Sequence, residues 1–385
     1  MTKPRVLLYV QHLLGVGHVA RAAALARGMT AAGIDVTVVT GGEPVPAIGF
    51  GAAEVVQLRW LRAADTSFKT LLDAEGRPAT DALFAGRRHI LLSLAERVAP
   101  DAILIEHYPF GRRKFRVEID PLLDAWQGRA CIACSVRDVL VEKGDTKKAA
   151  AAVALINARF DRVFVHGDGA VLPLDRTFPL AREIADKIVY TGYVVDRRTD
   201  PPHWVKTTDG HDEVIVSVGG GAVGLDLLKA AIGAKRLGAA PNHVWRLLAG
   251  ANLAEADVAE LKRLAPPGLI VEPARPDFRT LLTRAALSIS QAGYNTVMDV
   301  LEAGCRNVVV PFAAGSESEQ LFRARELEAR GLLTVLDEAK LSPQSLANAV
   351  DTALAAPKPA AARIDLTGIE TTARLILAML EGKRG

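Results

Sequence analysis

The sequence predicts an α/β protein built of two Rossmann-like domains, and three observations carry that prediction. Its 385 residues suit two domains of ordinary size. Two stretches, Arg5 to Thr40 and Ser290 to Pro311, each read as apolar strand, glycine-containing loop, helix and second apolar strand. Between them, Thr199-Asp200-Pro201-Pro202-His203 through Gly210-His211-Asp212 is polar and proline-rich, as linkers are. The expected boundaries are therefore 1–198 for the first domain, 199–212 for the linker and 213–365 for the second, with 366–385 a terminal helix.

Composition narrows the function classes. Half the residues are hydrophobic, enough for two cores, and the net charge of +3 gives no case for nucleic acid. The apolar run Val6–Val10 is too short for a signal peptide and leads into a glycine turn. No run approaches the roughly 18 apolar residues of a membrane span, so a cytoplasmic protein is expected. Cys131 and Cys134 form a CxxC inside a strand, where residues three apart point to opposite faces. With no second CxxC, zinc is not expected, and these two and Cys305 read as core residues.

In chain order, Arg5–Val10 is a strand buried on both faces, followed by Gly15-Val16-Gly17-His18 and an alanine-rich helix ending near Gly33. Asp35–Thr40 is the next strand. A glycine loop at a strand's carboxyl end is where such folds place a site, but no Lys-Ser/Thr closes it into a P-loop. His18 sits in the helix's first turn, where the imidazolium is disfavoured, so it should stay neutral and able to take a proton. The alternative is a histidine that only caps the turn.

Leu58 to Arg88 shows no clean period. Asp101 to Glu106 is a strand ending in Glu106-His107, of which alternation lets only one face the site directly. Arg112-Arg113-Lys114 is either a solvated cluster or a contact for an anionic acceptor. Arg137-Asp138 and His166-Gly167-Asp168 also follow apolar runs and are expected to rim the site, and Ile188–Tyr193 reads as the first domain's last strand.

The second domain opens with strand Glu213–Val218 and then Gly219-Gly220-Gly221-Ala222-Val223-Gly224, a GxGxxG. The next strand, His243–Leu248, ends in Ala249-Gly250-Ala251 without the acid that would hold a dinucleotide's ribose, which argues against NAD. Leu269–Glu272 is another strand, followed by Ala274 and Arg275. In the Ser290–Gln320 unit, Gln291-Ala292-Gly293 forms the turn and Asn295–Ala303 a helix that ends at Gly304. Thr296 and the helix start can face an anion, while Asn295 and Asp299 share one face. Glu319-Gln320 lie in the loop after the following strand. Val335–Glu338 reads as a last strand and Thr367–Gly382 as an amphipathic helix.

Gln291-x-Gly293-x-Asn295-Thr296-x-x-Asp299-x-x-x-x-Gly304, with Pro311 and Glu319-Gln320, resembles the donor-binding signature of GT-B glycosyltransferases, MurG-like enzymes in particular. The Gly15-x-Gly17-His18 loop resembles the same family's N-terminal loop, and with Arg21 also the UDP-sugar hydrolase of pseudaminic acid synthesis. The resemblance implies two Rossmann-like domains facing across a cleft. The second would bind a nucleotide-sugar, UDP-sugar favoured; the first would bind a hydroxyl acceptor, lipid-linked or a small molecule.

By resemblance, the backbone of Gly219, Gly220, Gly221 and Ala222 approaches the donor diphosphate, and Ala274-Arg275 reads the base. Asp299 takes the ribose, although the family usually has Glu there, and Gln291 stands where many relatives have His. Glu319 and Gln320 orient the sugar. His18 would deprotonate the acceptor for inverting attack, with Glu106 in reserve, and Gly15, Gly17, His107 and Arg137 would line the acceptor side. The Leu58–Arg88 insertion would shape that side too. No Asp-x-Asp occurs, so neither a metal nor another cofactor is expected. Hydrolysis in the same cleft and non-catalytic sugar-nucleotide binding are the alternatives. Leu13-Leu14 with Arg112–Lys114 would suit peripheral contact at the inner membrane face, unless both leucines pack under the loop.

Overall fold

Continuous Val/Ile/Leu runs become central parallel strands because both of their faces are covered. The computed structural model describes residues 3–65, 68–140, 146–196, 208–219, 224–250, 253–312, 319–359 and 364–384. It divides into two units, Met1–Asp196 with Asp365–Gly385, and Arg197–Ile364. The expected linker falls partly outside the described residues.

The first unit runs β1 (Arg5–Val10), α1 (Gly17–Ala31), β2 (Asp35–Thr40), β3 (Glu54–Gln57), β4 (Arg62–Ala63), β5 (Leu71–Leu72), α2 (Asp81–Val98), β6 (Ala102–Glu106), α3 (Arg116–Trp126), β7 (Cys131–Arg137), α4 (Thr146–Arg159), β8 (Arg162–His166) and β9 (Ile188–Tyr190). Its main sheet has the order β3-β2-β1-β6-β7-β8-β9 with every pairing parallel. One face packs against α2, α3 and α4 through residues such as Leu91, Leu122 and Ile156. The other packs against α1 and the C-terminal helix through Leu25, Met29 and Ile376. Cys134 belongs to the first face and Cys131 to the second, as alternation requires.

The unpatterned stretch after Leu58 contains the short antiparallel pair β4–β5, a turn in which Asp73 Oδ1 accepts from the Glu75 and Arg77 amides, and the start of α2. Thr80 caps α2 by accepting from the Leu83 amide at 3.2 Å. The helical period is hidden because Arg87, on its inward face, is fully buried. Its guanidinium reaches both Glu118 oxygens, Gln11 Oε1 and the Gly41 carbonyl, tying α2 and α3 to the ends of β1 and β2.

The second unit runs β10 (Val214–Ser217), α5 (Leu225–Arg236), β11 (Trp245–Ala249), α6 (Glu255–Leu264), β12 (Leu269–Pro273), α7 (Phe278–Arg284), β13 (Leu287–Gln291), α8 (Tyr294–Ala303), β14 (Asn307–Val310), α9 (Glu319–Glu328) and α10 (Pro343–Ala355). Its sheet is β12-β11-β10-β13-β14, again all parallel. Residues 335–338 are not the strand the sequence suggests: Val335 makes one isolated bridge to Val309, and a 3-10 turn begins at Glu338. The last helix, α11 (Gly368–Arg384), packs on α1 in the first unit. Among the described residues no helix is long and apolar enough to cross a membrane.

Candidate active site

In each sheet the strand order reverses once, and loops diverge there to leave a crevice at the strands' carboxyl ends. In the first unit the reversal lies between β1 and β6. The loop after β1 starts α1 with His18, and β6 ends in Glu106. No side chain caps α1, and a Cβ on Gly15 would meet nothing within 4 Å, so the loop leaves an open approach.

His18 Nδ1 lies 2.8 Å from Glu106 Oε1. The same carboxylate oxygen accepts from Arg21, one helical turn on from His18. Glu106 Oε2 accepts from Ser135 Oγ at 2.6 Å. His107 follows, its ring 5.2 Å from that of His18. Both residues at the end of β6 therefore reach the site, contrary to the alternation expected: His107 has left the strand, with φ at +65°.

Charge around this cluster is mostly positive. His18 is held well below the ordinary histidine value by burial, then by Arg137, Arg112, His107 and Arg21. Desolvation and neighbouring cations thus disfavour the imidazolium in the same sense as the helix terminus does. Burial and Arg112 likewise push His107 down to about 3. Burial alone would raise Glu106; Arg21, the Ser135 hydrogen bond and nearby histidines outweigh it and hold the carboxyl below its usual range. Arg112 donates Nε to the Gln11 carbonyl at 2.6 Å and is pushed down to about 10 by burial. Only Arg113 and Lys114 of the basic trio are exposed. Leu13 packs into the core at 7% exposure while Leu14 stays 45% exposed, so the two leucines divide between the readings given for them.

In the second unit the reversal lies between β10 and β13. Gly219 follows β10 with φ at +66°, and a Cβ there would sit 3.8 Å from Thr296 Oγ1 in the first turn of α8. Gly224, at φ +126°, comes within 3.5 Å of Gln291 Nε2 on the same basis. Gly219, Gly224, the end of β13 and the start of α8 thus converge. Helix α8 buries Tyr294, Val297, Met298 and Leu301, spaced i, i+3, i+4, i+7, and ends at Gly304 with φ +60°. Gly293 caps its start without a side chain. Gly220, Gly221 and Ala222 lie outside the described residues.

Other expected donor residues are already engaged. Asp299 pairs with Arg279 at 3.4 Å, and Arg279 also pairs with Glu302. The Ala274 amide donates to the Ala249 carbonyl at 2.8 Å, so it cannot read a base edge. The Arg275 guanidinium turns into the acids Asp277, Asp209 and Glu272. Glu319 accepts from the buried Arg323, whose guanidinium lies over the Tyr294 ring, 5.3 Å from its centroid. Gln320 Oε1 accepts from the Phe312 amide at 3.1 Å.

Behind Glu106, sequence reasoning missed Ser135 and placed His166 and Asp138 at the rim, whereas all three are fully buried. Strand register brings Ser135 beside Glu106, and no local motif encodes register. Arg21 carried a local signal, its i+3 spacing from His18. Among the described residues, no group of three His, Cys, Asp or Glu is arranged to hold a metal.

Two Rossmann-like domains, each sheet with one switch point, are the GT-B fold. Residues 215–376 match the model described as the glycosyltransferase family 28 C-terminal domain. The chain is 27% identical over 180 residues to the UDP-N-acetylglucosamine–N-acetylmuramyl-(pentapeptide) pyrophosphoryl-undecaprenol N-acetylglucosamine transferase of Thermotoga neapolitana, covering 46% of this chain and 48% of that one. The chain spans about half or less of the length of the curated relatives it matches. Among solved structures, the glycotransferase of kitacinnamycin superposes with a TM-score of 0.63 at 16% identity, covering 100% of this chain and 97% of that one. Acinetobacter baumannii MurG gives 0.59 at 17% identity, covering 98% and 100%.

Proposed function

We propose that the protein is a metal-independent, inverting glycosyltransferase that moves a sugar from a nucleotide diphosphate, UDP favoured, to a hydroxyl acceptor. The observation that carries the chemistry is the His18–Glu106 pair. An ionised carboxylate can only accept, so Nδ1 bears the proton and Nε2 keeps its lone pair for the acceptor hydroxyl. Glu106 therefore orients His18 and is not itself a spare base. As the acceptor oxygen attacks the anomeric carbon, its proton passes to Nε2 and the diphosphate leaves.

The amides of the loop from Gly219 and of the α8 start, Gly293 to Thr296, would meet the diphosphate charge, with Gln291 donating beside them. Asp299, steadied by Arg279, keeps oxygen lone pairs for the ribose hydroxyls. Base reading falls to the Ala274 carbonyl and the chain at Arg275. Gln320, its carbonyl occupied, would address the sugar through its amide NH2, and Glu319 through the carboxylate that Arg323 holds. Gly15, Gly17, His107 and Arg137 would surround the acceptor. The names of the curated relatives, with a UDP-sugar donor and a pyrophosphoryl-undecaprenol acceptor, support the donor choice and a lipid-linked acceptor met at a membrane face.

Melting curves with UDP-, dTDP- and GDP-sugars test the donor half. One should raise the melting temperature by mass action, and Asp299→Ala should cancel the rise. A shift with NAD(P) alone would overturn the reading. Chelation with EDTA should leave turnover unchanged. Free sugar released equally fast without acceptor would replace transfer by hydrolysis.

A further inference from the structure

The buried hydrogen-bond chain does not stop at Glu106. Ser135 Oγ lies 2.6 Å from Glu106 Oε2 and 2.8 Å from His166 Nε2, and His166 Nδ1 lies 2.8 Å from Thr191 Oγ1. Ser135, His166 and Thr191 are all fully buried. In the parallel register Glu106 pairs with Ser135, and His166 with Arg137 two residues on, so these side chains share the sheet face covered by α1.

Proton counting fixes the direction of the chain. Ser135 has one hydroxyl proton, and an ionised carboxylate can only accept it. His166 Nε2 must then donate to Ser135 Oγ. Burial, with Arg21 adding, pushes His166 down to about 3, so the ring is neutral and Nδ1 has to accept from Thr191. The Thr191 hydroxyl also lies 2.8 Å from the Gly192 carbonyl, but its single proton is required at Nδ1. Every donor in the chain points toward Glu106.

We propose that Ser135 and His166 are positioning residues: by donating in series to Glu106 Oε2 they leave Oε1 for His18 and Arg21 and lock His18 in the Nδ1–H tautomer. The inference rests on His18 being the base. The charged and titratable groups facing Glu106 are His18 and Arg21 from α1, His107 and Arg112 from the loop after β6 and His166 from β8, while Arg137 from β7 acts on His18, His107 and Arg112 beside it.

The test reads the His18 tautomer directly, by nitrogen shifts in 15N-histidine protein with the His18 signal assigned from His18→Ala. Wild type should show Nδ1–H alone. Ser135→Ala should mix in the Nε2–H form and lower kcat about tenfold with the donor KM unchanged, as expected for losing one hydrogen bond to a charged group. Ser135→Thr should restore both. His166→Gln, whose amide NH2 replaces the Nε2 donor, should stay near wild type, and His166→Asn should behave as Ser135→Ala does. If Ser135→Ala does not fold, His166→Asn against His166→Gln carries the same comparison. An unchanged tautomer in the disrupting variants would overturn the proposal. Full turnover in His18→Gln would instead sink the base reading, while the tautomer result still decides the positioning.

Discussion

At the scale of single residues, His18 combines depth with company. It is surrounded by Arg137, Arg112, His107 and Arg21, and balanced by one carboxylate. A base must be unprotonated to work, so a depressed value extends activity toward acid. The acid limb of kcat/KM should therefore fall below pH 6.5, the ordinary histidine value. Arg137→Gln removes the largest of the cationic contributions and should move that limb up, toward 6.5. A pH-rate series on the two proteins measures it, and an unmoved or lowered limb would contradict the electrostatic account. Glycine spacing and one helix turn made His18 and Arg21 legible in the sequence. Ser135 was not, because its role follows from lying beside Glu106 across a strand pairing.

At the scale of elements, strands and the two glycine loops could be read from apolar runs, and helix α8 from the glycine turn before it and Gly304 at its end. Helix α2 could not, since Arg87 and its partner Glu118 are charges in core positions. Removing one partner of a buried pair strands the other, so Glu118→Leu should cost about 3–5 kcal/mol by urea titration. The packing of α11 on α1 gives a second expectation. A Cβ on Gly28 would fall 2.1 Å from Ile369 Cγ2. Gly28→Ala should thus lower stability by about 1–3 kcal/mol through overpacking, despite alanine's better helix propensity. Ile369→Ala should relieve the clash, giving a non-additive double-mutant cycle; additive effects would mean the two helices do not meet there.

At the scale of the whole molecule, buried neutral histidines link stability to pH. The unfolded chain protonates His166 below about 6.5, whereas the folded protein keeps it neutral down to about 3. The unfolded state then binds more protons, so stability falls as pH drops through that window, by about 1.4 kcal/mol per unit for each such group. His107, also held to about 3, acts in the same sense. His166→Gln should flatten the slope of unfolding free energy against pH between about 6 and 4 by one such increment; an identical slope would mean His166 titrates normally.

The central claim is that one unit holds the sugar nucleotide while His18 in the other drives transfer, so binding and chemistry should separate cleanly. The deciding measurement is donor affinity and kcat side by side in wild type and His18→Gln. The account predicts unchanged affinity with kcat reduced by roughly 10²–10⁴-fold. Transfer at the wild-type rate, or a loss confined to donor binding, would contradict it.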